Sequence, residues 1–275
     1  MPAGSPGRVG PPGSPGTPGP AGLRIARVLA RCSDGRSETS LDPDLRVFVS
    51  DLVRPYGLPL REDLLREGVG HSYEELAAGL LGEALAEDEP VDLLILAFDT
   101  PDVRPGAPSS LALSRSVPGE PLAFAVCDQG TAAAFTALRL AAEYQRAGAC
   151  RRAVVVLAEQ TALHYEPPEP VAMPQRHAAV VLVCEEAPGP GLVVHQWRGP
   201  DRPESQVSDR AAEPGPGAVV LDSTADDHGG SLAQPFTGLW ARLAEQLPGG
   251  RVERRPLRVT GADRRLGVLS TLTQP

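Results

Sequence analysis

The segment from Pro121 to Gln160, PLAFAVCDQGTAAAFTALRLAAEYQRAGACRRAVVVLAEQ, admits few folds. Two apolar runs flank a stretch in which Phe135, Leu138 and Ala142 recur at helical spacing, and Gly148 follows as a natural C-cap. The unit reads as strand, tight turn, amphipathic helix and strand. The second run, AVVVLA, is apolar without alternation, the pattern of a strand covered on both faces. The helix is rich in Ala, whose small side chain lets a sheet approach closely. A chain built around such a unit is an α/β protein with helices on both sides of a sheet.

The remaining segments extend that pattern. LRIARVLARC (Leu23 to Cys32) reads as a first strand and LRVFVS as a short second one. Ser72 and Glu75 form a capping box for a helix carrying Leu76, Leu80 and Leu81, which Pro90 stops. VDLLILAF is a buried strand, and a short helix around Ser109 to Ser116 leads into PLAFAVC. HAAVVLVCEE and GLVVHQW are further strands, and RGPDRPESQVSDRAAEPGPG is turn-rich and expected to be an exposed loop. A final block offers a strand AVVLD, a turn STADDHGG, a helix from about Ser231 to Leu247 and a closing strand RLGVLSTL. Residues 1–22, a Pro/Gly tract that cannot build a core, are expected to be a disordered tail. One domain over 23–275 follows, with a first half to residue 200 and a short second half over 201–275.

Composition removes several chemistries. The 26 basic side chains are all Arg, so Schiff-base and P-loop lysine chemistry are excluded. A net charge of −9 argues against nucleic acid or an anionic membrane as partner. No glycine fingerprint follows the first strand, and no apolar run reaches the length of a membrane span. The N-terminus lacks the apolar core of a signal peptide, so a cytoplasmic protein is expected. The four Cys and five His have no ligand spacing, so neither a metal nor another cofactor is expected. Cys32, Cys127, Cys150 and Cys184 read as buried small hydrophobes. His71, His164, His177 and His195 sit singly beside strands, loops or a cap.

From Ser72 to His195 the order of elements resembles the thiolase superfamily, and within it the ketoacyl-ACP synthase III group of condensing enzymes. The stretches that carry the likeness are VDLLILAFDTPD, AFAVCDQGTAAAFTALRLAAEYQRAG, CRRAVVVLAEQT and HAAVVLVCEE. The resemblance implies a layered α-β-α-β-α architecture, here with a truncated C-terminal half. It also implies an acyl-accepting residue at the start of the central helix, normally Cys, and a His and an Asn supplied later in the chain. Thr131 falls at the nucleophile position. A Thr hydroxyl needs a strong adjacent base to attack, and the alternative role is a helix N-cap bonding a backbone N–H. Cys127 is the rival nucleophile, at the end of a strand. The family's late G-N-T-S stretch corresponds to DDHGGSLAQPFTGLWARL, which puts Gly230 at the Asn position and leaves His228 as the nearest imidazole, beside Asp226 and Asp227.

The function implied is a catalytically degenerate ketosynthase III-like subunit in polyketide, fatty-acid or related secondary metabolism. It would pair with an active condensing enzyme, or with itself, through the strand containing Leu122, Phe124 and Val126, and work with acyl carrier protein or acyl-CoA. Likenesses of this kind are the small subunit of the alkylquinolone condensing enzyme and the chain-length factors of aromatic polyketide synthases. Two alternatives stand beside it. One is an active acyltransferase or thioesterase-like enzyme using Cys127 or Thr131 with His228 or His164. The other is a stand-alone module that binds a carrier protein or assists cyclisation.

Overall fold

The computed structural model describes residues 21–104, 108–199, 217–224, 233–253 and 255–275. The expected tail lies outside these residues except for Ala21 and Gly22, which already belong to strand β1 (Ala21–Ser33). A five-stranded sheet combines β1 with β2 (Leu93–Ala97), β3 (Leu122–Val126), β4 (Arg152–Glu159) and β5 (His177–Pro188) in the order β1-β5-β4-β2-β3. β4, β2 and β3 run parallel, whereas β5 is antiparallel to both β4 and β1. A second sheet has β6 (Val193–Arg198), β9 (Val268–Gln274), β8 (Leu257–Asp263) and β7 (Val219–Asp222), in that order.

The central strands explain their own composition. In β4, Ala153, Val155 and Leu157 face one core and Val154, Val156 and Ala158 the other. Every one of these is fully buried, so alternation would have placed a polar group in a core. The first core lies between the sheets, around helix α5 (Ala132–Arg146) and helix α6 (Gly238–Glu245). Gly261 of β8 permits this packing, because a Cβ there would meet the Phe135 ring at 2.9 Å. The second core lies under α3 (Tyr73–Ala84) and α4 (Ser109–Ser114). Among the described residues the layers run helix, sheet, helix, sheet, and both α5 and α6 lie between the sheets.

Two expectations are corrected here. LRVFVS is not a strand but the middle of α1 (Pro43–Val53). Asp42 caps that helix by accepting from the Asp44 N–H at 3.0 Å, Pro43 opens it, and Leu45, Val49 and Val53 are buried at a spacing of four. A short α2 (Glu62–Glu67) follows. The segment LRVTGAD, not expected to be a strand, is β8. Its Leu257 and Val259 are buried in the core between the sheets, next to Arg258 and Thr260 in the same strand.

Candidate functional site at the start of helix α5

Three elements meet at the turn that precedes α5. Cys127 follows the last residue of β3, and the chain turns through Asp128 and Gly130, whose φ angles are 61° and 54°. β2 continues into Asp99, with the Phe98 N–H bonded to Val126 O at 3.2 Å. From the second sheet, the end of β8 brings in Asp263, followed by Arg265 and Leu266. The turn is thus ringed by three carboxylates, Asp99, Asp128 and Asp263, with one guanidinium, Arg265, bonded to Asp99 at 3.2 Å.

The electrostatics follow from that ring. Burial pushes the Asp99 carboxyl above its ordinary range; Arg265 pulls it back, and the charges of Asp263 and Asp128 push it further up. The Cys127 thiol is also held above its usual value, first by burial and then by its bond to Asp128 and that group's charge. Its sulfur sits 3.2 Å from Asp128 Oδ2 as a donor. A nucleophilic cysteine needs a basic or dipolar neighbour that favours the thiolate. Cys127 has the opposite.

Thr131 lies immediately before α5, but it does not cap the helix with its hydroxyl. Its backbone is already helical, at φ −63° and ψ −16°, and its side chain makes no cap bond. The cap comes from 132 residues away: Asp263 Oδ2 accepts the Thr131 N–H at 2.9 Å. Asp263 Oδ1 accepts the Leu266 N–H at 2.8 Å, which fixes the carboxylate in place. Gly130 makes room for it, because a Cβ there would lie 1.8 Å from Asp263 Oδ2. Deeper in, the Thr136 hydroxyl donates to Gln129 Oε1 at 2.7 Å, and Gln196 Nε2 donates to the Ala132 carbonyl at 3.2 Å. These bonds stitch the first turn of α5 to the second sheet. A cavity of about 290 Å³ opens beside Asp263, lined also by Trp197, Thr224, Arg264 and Leu269.

The other candidates are dispersed. His228 and Gly230 lie outside the described residues. His164 is buried and its Nε2 lies 2.8 Å from Val69 O; burial lowers its pKa. It serves the loop before α3. Leu122, Phe124 and Val126 occupy β3, an edge of the first sheet. Among the described residues no group of metal-ligating side chains is assembled.

Sequence reading missed Asp263, Asp99 and the role of Glu159. Glu159 closes β4 and is 1 % exposed, yet it accepts the Phe236 N–H and the Thr237 N–H, each at 3.0 Å. Gln234 Nε2 and the Thr237 hydroxyl also donate to it. Burial holds its carboxyl above the ordinary range, and these donors partly offset that. Two signals could have found the first of these. Leu257 and Val259 alternate with Arg258 and Thr260 as in a half-buried strand, and a Gly just before a helix marks a close approach by something else.

No protein-family model and no curated protein sequence matches the chain. Solved structures do. A 3-oxoacyl-(acyl-carrier-protein) synthase III superposes with a TM-score of 0.56 at 14% identity, covering 92% of this chain and 100% of that one. A priming β-ketosynthase of a polyketide biosynthetic pathway gives 0.56 at 13% identity, covering 94% and 98%. OleA of Xanthomonas campestris, a variant solved with lauric acid and lauroyl-CoA, gives 0.54 at 14% identity, covering 92% and 98%. At such identities the likeness establishes the fold. The chain has the thiolase fold in the form found in ketoacyl-ACP synthase III-type condensing enzymes.

Proposed function

We propose that this chain is a catalytically degenerate ketosynthase III-like subunit. It pairs with an active condensing enzyme that acts on acyl groups carried by acyl carrier protein or CoA, in polyketide, fatty-acid or related biosynthesis. The observation that carries the reading is the turn before α5. Its thiol donates to the Asp128 carboxylate, its Thr hydroxyl meets no basic group among the described residues, and the helix N-terminus already holds a carboxylate. A thioester nucleophile works by becoming an anion, and three acids around the turn oppose a further negative charge. The same acids disfavour the active-enzyme reading through Cys127 or Thr131.

Pairing is supported by β3. It ends the first sheet, Leu122 is 52 % exposed, and Leu111 of the adjoining α4 is 49 % exposed. LAFAV has no charge and no Pro to blunt an unpaired edge. A second thiolase-fold strand laid against it would extend the sheet across a two-fold. The test is hydrogen exchange of Leu122–Val126, alone and with an active ketosynthase III-type condensing enzyme from the same source. Strong protection of that strand on mixing is expected, together with a complex by light scattering. A monomer whose β3 amides exchange equally fast in both samples contradicts the pairing.

A further inference from the structure

The residue that occupies the start of α5 is more informative than the nucleophile that is missing. The first N–H groups of a helix are unpaired donors at the positive end of its dipole, a seat for an anion. In this chain the amide of Thr131 is not open to a substrate. It is bonded to Asp263 Oδ2 at 2.9 Å, and Asp263 is only 7 % exposed. The carboxylate is held from behind by the Leu266 N–H, and only a glycine at 130 leaves it space. Asp263 comes from β8, in the second sheet, so the contact closes the turn and ties it to that sheet.

We propose that Asp263 is an internal plug. Its carboxylate fills the seat where an anion formed in acyl transfer would be stabilised, so the turn is self-inhibited and not merely short of a nucleophile. This inference rests on the degenerate-subunit reading, and it goes further: restoring a thiol at the turn should not restore reactivity while Asp263 stays. Two consequences are separable. The charge of Asp263 opposes a thiolate at residue 131, and its occupancy of the Thr131 amide removes a donor for an oxyanion.

The test uses the full chain with Cys32→Ser and Cys127→Ser as background, carrying Thr131→Cys. The rate at which iodoacetamide alkylates the introduced thiol is followed against pH; the thiolate sulfur displaces iodide, so the profile reports the thiol pKa. With Asp263 present, that pKa is expected at or above the ordinary value of about 8.5. With Asp263→Asn, which keeps the shape and removes the charge, it should fall by about one unit, giving about eightfold more thiolate and about threefold faster alkylation at pH 7, because the less basic sulfur is also less nucleophilic. With Asp263→Gly, the introduced thiolate should attack the carbonyl of acetyl-CoA, break its C–S bond and release CoA as the free thiol, adding an acetyl mass that Thr131→Cys alone does not acquire. A depressed thiol pKa in Thr131→Cys with Asp263 intact overturns the plug, and needs no Asp263 variant to be seen. Identical profiles with and without the Asp263 carboxylate overturn it as well. Acetylation of the wild-type chain would instead overturn the degenerate-subunit reading on which the plug rests.

Discussion

Helices α3 and α5 begin in opposite ways. At α3, Ser72 Oγ lies 3.3 Å from the Glu75 N–H as acceptor, and Glu75 accepts the Ser72 N–H at 2.7 Å. The whole cap lies within four residues, with Ser37 adding a bond to Glu75 from outside. At α5 the flanking residue makes no side-chain bond, and the capping carboxylate arrives from the second sheet. α6 repeats the second arrangement: Glu159, at the end of β4, takes the N–H groups of Phe236 and Thr237 ahead of the helix. A local cap stabilises one helix. A remote cap makes the helix start depend on the register of two elements, so it acts as a joint between elements far apart in the chain.

That contrast is broken most directly at Glu159. Glu159→Ala leaves two backbone donors and a buried hydroxyl without their acceptor, and should cost about 3–5 kcal/mol. Urea denaturation should show the loss, and exchange should quicken along α6 and the end of β4 together. A loss under about 1 kcal/mol confined to α6 would mean that the remote cap joins nothing.

Gly130→Ala comes next. It adds a Cβ that must displace the Asp263 carboxylate, in a left-handed backbone that disfavours side chains, and should cost about 2 kcal/mol. In the Asp263→Gly background the carboxylate is gone, so only the backbone part of about 1 kcal/mol should remain. An equal cost in both backgrounds, measured by urea denaturation, would remove the argument for a fitted carboxylate.

Acid should load the local cap from behind. His71, next to Ser72, lies with its ring 4.4 Å from that of His177, and its Nδ1 is buried without a partner among the described residues. Burial and the His71 charge pull the His177 pKa down to about 4. Asp34 and Glu75 face it and act in the opposite direction, and Arg176 is held by Asp34. A depressed His pKa means that the unfolded chain binds the proton first. The stability contributed by the neutral ring is therefore complete above about pH 6.5 and drains away as pH falls toward 4. The carboxyls of the half-buried Asp99 and Asp102 and of the fully buried Glu159, held high by desolvation, run the other way. The clean readout is the difference between proteins: wild type should lose more stability from pH 7 to pH 5 than His177→Gln. Parallel melting curves would contradict this.

The smallest effect belongs to the local cap itself. Ser72→Ala should cost about 1 kcal/mol, seen as faster exchange in the first turn of α3 alone. Propagation into the sheets would erase the distinction drawn above.

The same distinction sets what could be read in the sequence. The α3 box was legible because all its partners lie within a few positions, and β4 and β5 because burial on both faces leaves continuous apolar runs. α1 was misread because LRVFVS is short and β-branched, while the signals that decide it, Asp42 and Pro43, lie outside the apolar run. The turn was legible as a turn and Thr131 as its last residue. Its chemistry was not, because the partner lies 132 residues downstream in a strand that went unrecognised. Glu159 was visible only as a polar end to a strand, since its four donors gather from another part of the chain.

The central claim is that the turn before α5 takes no acyl group. Intact-mass spectrometry of the wild-type chain after incubation with acetyl-CoA and with an acyl-charged carrier protein tests it most directly. An unchanged mass is expected, since Cys127 is held as a thiol by burial and by Asp128, and the Thr131 amide is bonded to Asp263. An acyl adduct that disappears in Cys127→Ala or in Thr131→Ala would contradict the account and name the nucleophile.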